Sequence, residues 1–190
     1  MSKLVVSEFV TLDGVMEDPG GAEGFEHGGW AFRFERGPEG DKFKLDELMT
    51  ADALLLGRKT YEGFAAAWPS RTDEAGFAEK MNTMPKFVVS TTLERGEWNN
   101  SRVIKDDVPA EIAKLKQQPG GDLLVAGSRQ LVQTLIESDL VDEYRLMVFP
   151  VLLGSGKRLF DGGGVPRTFK VVEAKTSAEV VMLTLERAAE

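Results

Sequence analysis

The chain has no cysteine, a single histidine (His27) and a deficit of positive charge. Without cysteine there are no disulfides, thiolate nucleophiles, zinc ribbons or iron–sulfur clusters. One histidine leaves a His-rich metal site without ligands, so no metal is expected. Acidic residues outnumber basic ones by 31 to 23, a net charge of -8 and a pI near 4.9. The basic footprint of a nucleic-acid binder is therefore missing. Any phosphate must be gripped locally, by a few Arg or Lys and by backbone N–H groups. No apolar run reaches the roughly 20 residues of a membrane span. The opening residues, MSKLVVSEFVTLDG, show no apolar h-region followed by a cleavage site. These absences predict a cytoplasmic protein with neither membrane nor nucleic acid as partner. Its chemistry must come from a bound cofactor or from carboxylates.

What is present is an ordinary globular balance: 190 residues, 42% apolar and 28% charged. That length suits one domain over residues 1–190. Residues 3–10 (KLVVSEFV) read as a first strand, closed by Thr11-Leu12-Asp13-Gly14. Residues 17–40 are rich in breakers, with glycines at 20, 21, 24, 28, 29, 37 and 40 and the aromatics Phe25, Trp30, Phe32 and Phe34. A segment of this kind inside a compact domain is usually functional, and it is expected to be loosely held. Helical patterns cover residues 41–51, 60–68, 74–81, 109–116 and 128–137, and strands cover 53–57, 86–90, 102–105 and 122–126. After residue 139 only strands follow, at 143–151, 168–174 and 180–187. Alternation followed by strands alone predicts a three-layer α/β/α domain. Its mixed sheet is mostly parallel, with an antiparallel C-terminal edge.

The most informative stretch is Leu54 to Glu62, LLLGRKTYE: a buried strand, a glycine, two cations, and a threonine opening a helix. Glycine permits close backbone approach, and the helix start offers unpaired N–H groups. Arg58 brings a planar fork suited to a phosphate monoester. Two further strand ends repeat the arrangement, Val89-Ser90-Thr91-Thr92 and Val125-Ala126-Gly127-Ser128-Arg129. Ligands of open α/β sheets bind at the carboxyl ends of strands, and three such ends can wrap a phosphorylated nucleotide. None is a GxGxxG fingerprint or a P-loop.

Together with Thr11-Leu12-Asp13-Gly14, Lys86-Phe87-Val88-Val89-Ser90-Thr91-Thr92 and Phe149-Pro150-Val151-Leu152-Leu153-Gly154-Ser155-Gly156, these pieces carry a resemblance over nearly the whole chain. The sequence resembles the dihydrofolate reductase superfamily, and within it the reductase domain of the bacterial riboflavin-biosynthesis deaminase–reductases. The resemblance implies an NADPH-dependent oxidoreductase acting on a small planar heterocycle, similar to 5-amino-6-(5-phosphoribosylamino)uracil reductase. The alternatives are a dihydrofolate reductase proper or a nicotinamide-nucleotide-binding protein without turnover. By the same resemblance Arg58, Lys59 and Thr60 hold the adenosine phosphates, and Ser90, Thr91 and Thr92 line the 2′-phosphate side. Gly127, Ser128 and Arg129 cradle the pyrophosphate, where the family often has two glycines and this chain places Ala126 at the first. No paired-cysteine deaminase signature occurs, so this chain alone cannot perform the two-step conversion.

Reduction also needs a proton. Asp13 is one candidate catalytic acid, at the position that faces the nicotinamide side in riboflavin-type relatives; the other reading is an Asx-turn residue beside Gly14. Asp41 is the second, where dihydrofolate reductases often place the acid that pairs with the pterin; the other reading is an ordinary N-cap. Trp30 is a candidate stacking wall or lid over a planar substrate, or else a plug at the core edge. Gly154 and Ser155 make a candidate substrate-side phosphate nest, or a plain β-turn. Tyr144, Leu146, Val148 and Phe149 alternate in the C-terminal strands, which predicts an apolar sheet surface closed by a homodimer. Riboflavin-type relatives pair through this part of the fold.

Overall fold

The computed structural model describes residues 1–161 and 166–188. Its backbone is one eight-stranded sheet in the order β4-β3-β2-β5-β1-β6-β8-β7. The strands are β1 (Leu4–Thr11), β2 (Ala51–Gly57), β3 (Lys86–Val89), β4 (Ser101–Ile104), β5 (Asp122–Val125), β6 (Glu143–Phe149), β7 (Phe169–Ser177) and β8 (Val180–Arg187). From β4 through to β6 every neighbouring pair is parallel; β8 and β7 then run antiparallel. The predicted parallel sheet with an antiparallel C-terminal edge is what forms.

The helices are α1 (Gly37–Thr50), α2 (Arg58–Ala67), α3 (Phe77–Thr83), α4 (Val108–Lys116) and α5 (Arg129–Glu137). They separate onto two faces because successive strand residues point opposite ways. On one face Leu4, Val6, Leu55 and Val125 pack against Ile112 of α4 and Leu131, Val132 and Leu135 of α5. On the other, Val5, Leu54, Leu56 and Leu124 meet Leu48 of α1, Tyr61 of α2 and Met81 of α3. Three layers result.

Two helix starts differ from the sequence pattern, each for a local reason. α1 begins at Gly37, whose φ of +68° and following Pro38 turn the chain into the helix. Asp41 thus lies inside the helix and is not its N-cap. α3 begins at Phe77 because the Asp73 carboxylate accepts the N–H groups of Phe77 (2.9 Å) and Ala78 (2.6 Å).

The segment after β1 is tied down by hydrogen bonds despite its glycines. Asp18 is buried. Its carboxylate accepts the N–H groups of Glu23 (3.0 Å) and Phe25 (3.2 Å), and its carbonyl accepts those of Gly21 and Gly29. Trp30, at a single 3-10 turn (Trp30–Arg33), is 0% exposed and sits among Phe149, Met147, Val180 and Met182. Its indole N–H donates to the Glu17 carbonyl (2.8 Å) and its ring meets Phe149 edge-on at 5.3 Å. Trp30 is therefore core, which corrects the expectation that it forms a stacking wall or lid.

The apolar alternation of β6 is also satisfied internally. Tyr144, Leu146 and Phe149 are buried against α5, β8 and the Trp30 cluster. The exposed apolar side chains of β7 and β8 among the described residues are Val171 and Val172 on β7 and Val181 on β8.

Candidate functional site

The sheet opens where β1 and β5 part. Their pairing ends at Val6 with Val125. Beyond that point β1 stays with β6 as far as Thr11 opposite Phe149. The turn after β5 keeps to β2 instead, where the Gly57 N–H donates to the Gly127 carbonyl (3.0 Å). The result is a crevice at the carboxyl ends of central parallel strands, the usual ligand position in such sheets.

The walls on the β2–β5 side are closely packed at their glycines. A Cβ on Gly57 would collide with Ser128, and one on Gly127, at φ +85°, would stand 2.8 Å from Thr60 Oγ1. The peptide joining Gly127 to Ser128 is cis. The close approach thus falls at Gly127 and Ser128, one residue later than a glycine pair starting at Ala126. Both α2 and α5 begin without a side-chain cap, leaving first-turn N–H groups open to a ligand. Arg58 and Lys59 are exposed at the start of α2. Arg58 lies within 3.0 Å of Glu62, an i,i+4 pair that keeps its fork on the helix surface. Arg129 opens α5, pairs with Asp161, and holds its Nε buried without a partner.

The pair Thr91 and Thr92 is exposed beyond β3. Ser90 is buried, and its Oγ accepts the N–H groups of Thr92 (3.2 Å) and Leu93 (2.9 Å). Its hydroxyl oxygen thus accepts within its own turn.

Both predicted acids are engaged by neighbours within the chain. Asp13 feels burial, which raises its pKa. Hydrogen bonds from Thr11 Oγ1 (2.6 Å), Gly154 N–H (2.8 Å) and Leu153 N–H (3.3 Å) outweigh it and hold the carboxyl below its ordinary range. Arg158 stands 3.6 Å away. Asp13 is thus a clamp between the first turn and the segment after β6. Gly154, at φ +76°, is one jaw of that clamp, and Ser155 beside it is exposed. Asp41 is exposed on α1 and paired with Arg36 at 2.8 Å.

Four polar residues on and around β1 escaped the sequence reading. Ser7 of β1 is buried, donates to Glu47 Oε1 (2.8 Å) and accepts from Lys44 Nζ (2.6 Å). Glu47 is buried and ion-paired with Lys44 one helical turn away. Glu8, the next residue of β1, turns toward the Gly127 backbone. As a whole it is half-buried, but its Oε1 is sealed from solvent and has no hydrogen-bond partner. Burial pushes its pKa up to about 8; the Lys44 charge and the Gly127 backbone pull it down, and Glu47 and Glu23 push it up again. The signal was a carboxylate inside the apolar run VVSEFV. Its meaning depended on where β5 stops.

On the α1 face of the same strand lies a cavity of about 330 Å³ lined by Phe9, Phe32, Phe34, Arg36 and Asp41. Lys44 Nζ and Arg36 flank the Phe9 ring at 5.0 and 5.8 Å. Aromatics of the long segment do border a hollow, but they are Phe32 and Phe34.

Fold and strand ends together define the class, a dihydrofolate reductase-like α/β domain. Residues 2–183 match the model described as RibD C-terminal domain, and the chain belongs to that family. It is 30% identical over 184 residues to YyaP of Bacillus subtilis (strain 168), covering 95% of this chain and 92% of that protein. It superimposes, with a TM-score of 0.76 and 22% identity over the whole of both chains, on a protein assigned to riboflavin biosynthesis from Shewanella sp. PV-4. It also matches dihydrofolate reductase from Enterococcus faecalis complexed with NADP(H) and RAB-propyl. There the TM-score is 0.58 at 17% identity, covering 98% of this chain and 97% of that one. Among the described residues no cluster of His, Asp or Glu could hold a metal, and no helix is long and apolar enough to cross a membrane.

Proposed function

We propose that this chain is an NADPH-dependent reductase of a small planar heterocycle or a conjugated C=N or C=O compound, similar to the uracil reductase of riboflavin biosynthesis. The observation that carries this reading is the turn from β5 to α5. Of the three buried side-chain atoms without a partner among the described residues, the Arg129 Nε donor lies at the start of α5, and the Glu8 Oε1 acceptor belongs to a side chain that meets the Gly127 backbone. The third, Ser101 Oγ, lies at the start of β4. Buried polar atoms are normally satisfied, so an unpaired donor beside an uncapped helix start suits an anionic ligand. The donor set fits a phosphorylated dinucleotide, with Arg129 and the α5 start at one phosphate position and Arg58, Lys59 and Thr60 at another.

The bound cofactor would supply a hydride. The protein's share is to hold donor and acceptor in register, exclude water and provide a proton. Asp18 and Asp13 serve placement by fixing the segments that flank the crevice mouth.

Calorimetric titration of NADPH and NADH on wild type and Arg58→Ala tests the reading. A charge-assisted contact to the 2′-phosphate is worth about 1.5 to 3 kcal/mol, so NADPH should bind roughly ten- to a hundred-fold tighter than NADH. Arg58→Ala should remove most of that preference. Equal wild-type affinities would sink the NADPH assignment. Binding without NADPH oxidation across pterin, pyrimidine and quinone panels would favour a sensor over an enzyme.

A homodimer of cytoplasmic location belongs to the same reading. Its support is the apolar trio Val171, Val172 and Val181 on the C-terminal edge. Light scattering at micromolar concentration should return about twice the 20.9 kDa chain mass, and Val172→Lys should lower it.

A further inference from the structure

We propose that the carboxyl of Glu8, standing where β1 and β5 part, is the acid that hands a proton to the substrate of this site. The inference rests on the reductase reading and adds to it the proton donor. The position is set by topology. Ser7 turns to α1 and is consumed by Lys44 and Glu47. Strand alternation sends Glu8 the other way, into the space that β5 vacates after Val125. There the Gly127 backbone borders it, and its Oε1 meets no donor from the chain.

The charged groups that bear on Glu8 are few. α1 contributes Lys44 and Glu47, the segment after β1 contributes Glu23, and the β5–α5 turn contributes only backbone. On β6 the residue opposite is Leu146, which is apolar and buried. Burial is the largest influence, so the carboxyl is mainly protonated at neutral pH. A neutral carboxyl at a strand-end crevice is a proton donor in waiting.

The step balances as follows. A hydride brings its electron pair from the cofactor to the substrate carbon, and the π bond of the C=N or C=O moves its pair onto nitrogen or oxygen. The Glu8 O–H bond breaks, and its proton goes to that heteroatom. Glu8 is left as a carboxylate that the Lys44 charge favours, and it regains its proton from water.

The test needs no substrate. NADP+ carries a positive ring that an ionised Glu8 attracts, while the reduced ring is neutral. Both cofactors are titrated by calorimetry from pH 6 to pH 9.5 on wild type and on the near-isosteric Glu8→Gln. In wild type the NADP+ to NADPH affinity ratio should rise roughly fivefold, with its midpoint near pH 8. In Glu8→Gln the ratio should stay flat. A flat wild-type ratio with both cofactors bound would overturn the proposal while leaving the cofactor reading intact, and so would a rise that survives in Glu8→Gln. Wild type that binds neither cofactor would remove the reductase reading and this proposal with it. A flat wild-type profile overturns the proposal without any variant, and a rise is assigned to Glu8 by its loss in the near-isosteric Glu8→Gln.

Discussion

Lys86 and Glu8 both stand in strands of this sheet, and they are treated in opposite ways. Lys86, the first residue of β3, is completely buried. Its Nζ donates to the carbonyls of Met84 (2.8 Å), Asn99 (3.0 Å) and Asn82 (3.2 Å) and lies 4.2 Å from the centre of the Trp98 ring. Every proton of the ammonium has an acceptor. Glu8 is the reverse case: a sealed oxygen with no donor. Lys86 ties the segments around residues 82 and 99 to the sheet, which is construction. Glu8 is left unmatched in a place where a ligand could match it. A buried charge alone therefore says little about function; whether its hydrogen bonds are complete says more.

The largest effect expected from this contrast is at Lys86. Lys86→Met keeps the apolar stem but leaves three buried or half-buried carbonyls without their donor. Each lost partner costs about 1 to 3 kcal/mol, partly relieved by relaxation, so about 3 to 5 kcal/mol of stability should go. Urea unfolding measures it. If Lys86→Met unfolds like wild type, completeness of hydrogen bonding is not what holds this region together.

Glu8 should respond with the opposite sign. Its folded pKa of about 8 lies above the ordinary 4.5, so the unfolded chain ionises first. The neutral carboxyl's stabilisation is whole below pH 4.5, shrinks through the interval and is gone above pH 8. Glu8→Gln does not titrate and should gain on wild type by about 2 to 4 kcal/mol between pH 4 and pH 9, because a tenfold change in proton affinity is worth about 1.4 kcal/mol. Parallel unfolding curves at the two pH values check it. A gain that is the same at both would mean that Glu8 is ionised in the folded state.

This contrast also marks how far the sequence can be read. Strand–helix alternation and the helix-free end specify three layers and an antiparallel edge, because those follow from local periodicity. Gly57 and Thr60 after β2, and Gly127 and Ser128 after β5, stand out in the sequence as two strand ends, and the fold packs them against each other. What stays hidden depends on long-range partners. Trp30 reads as part of a loose lid because its neighbours are glycines, and only the return of β6 and β8 beneath it makes it core. Nor does the sequence show that the Ser90 oxygen accepts two N–H groups of its own turn. Glu8 sits in the first ten residues, yet its isolation is decided by the end of β5 more than a hundred residues later. Proximity in the chain carries no trace of it.

The smallest effect separates Glu8 from the other carboxylate at the end of β1. Asp13 has accepted hydrogen bonds on both oxygens and a lowered pKa, so it resembles Lys86 in completeness. Asp13→Asn keeps the shape but turns one acceptor into a donor that faces the Gly154 or Thr11 donor. The expected cost is about 1 kcal/mol at pH 7, because the side chain is only partly buried and water can relieve the mismatch. The sign with pH is reversed relative to Glu8. A carboxyl with a lowered pKa stabilises above its ordinary value of 3.8, and that contribution fades as pH falls through the lower, folded value. The deficit of Asp13→Asn should therefore shrink in acid, where the Glu8→Gln difference has also vanished. If the variant is titrated with NADP+ and NADPH, the pH-dependent change in their affinity ratio should persist with its midpoint near pH 8. Loss of that change in Asp13→Asn would mean that the titrating acid beside the nicotinamide is Asp13, and the distinction between a completed and an unmatched carboxylate would fail at the point where it matters most.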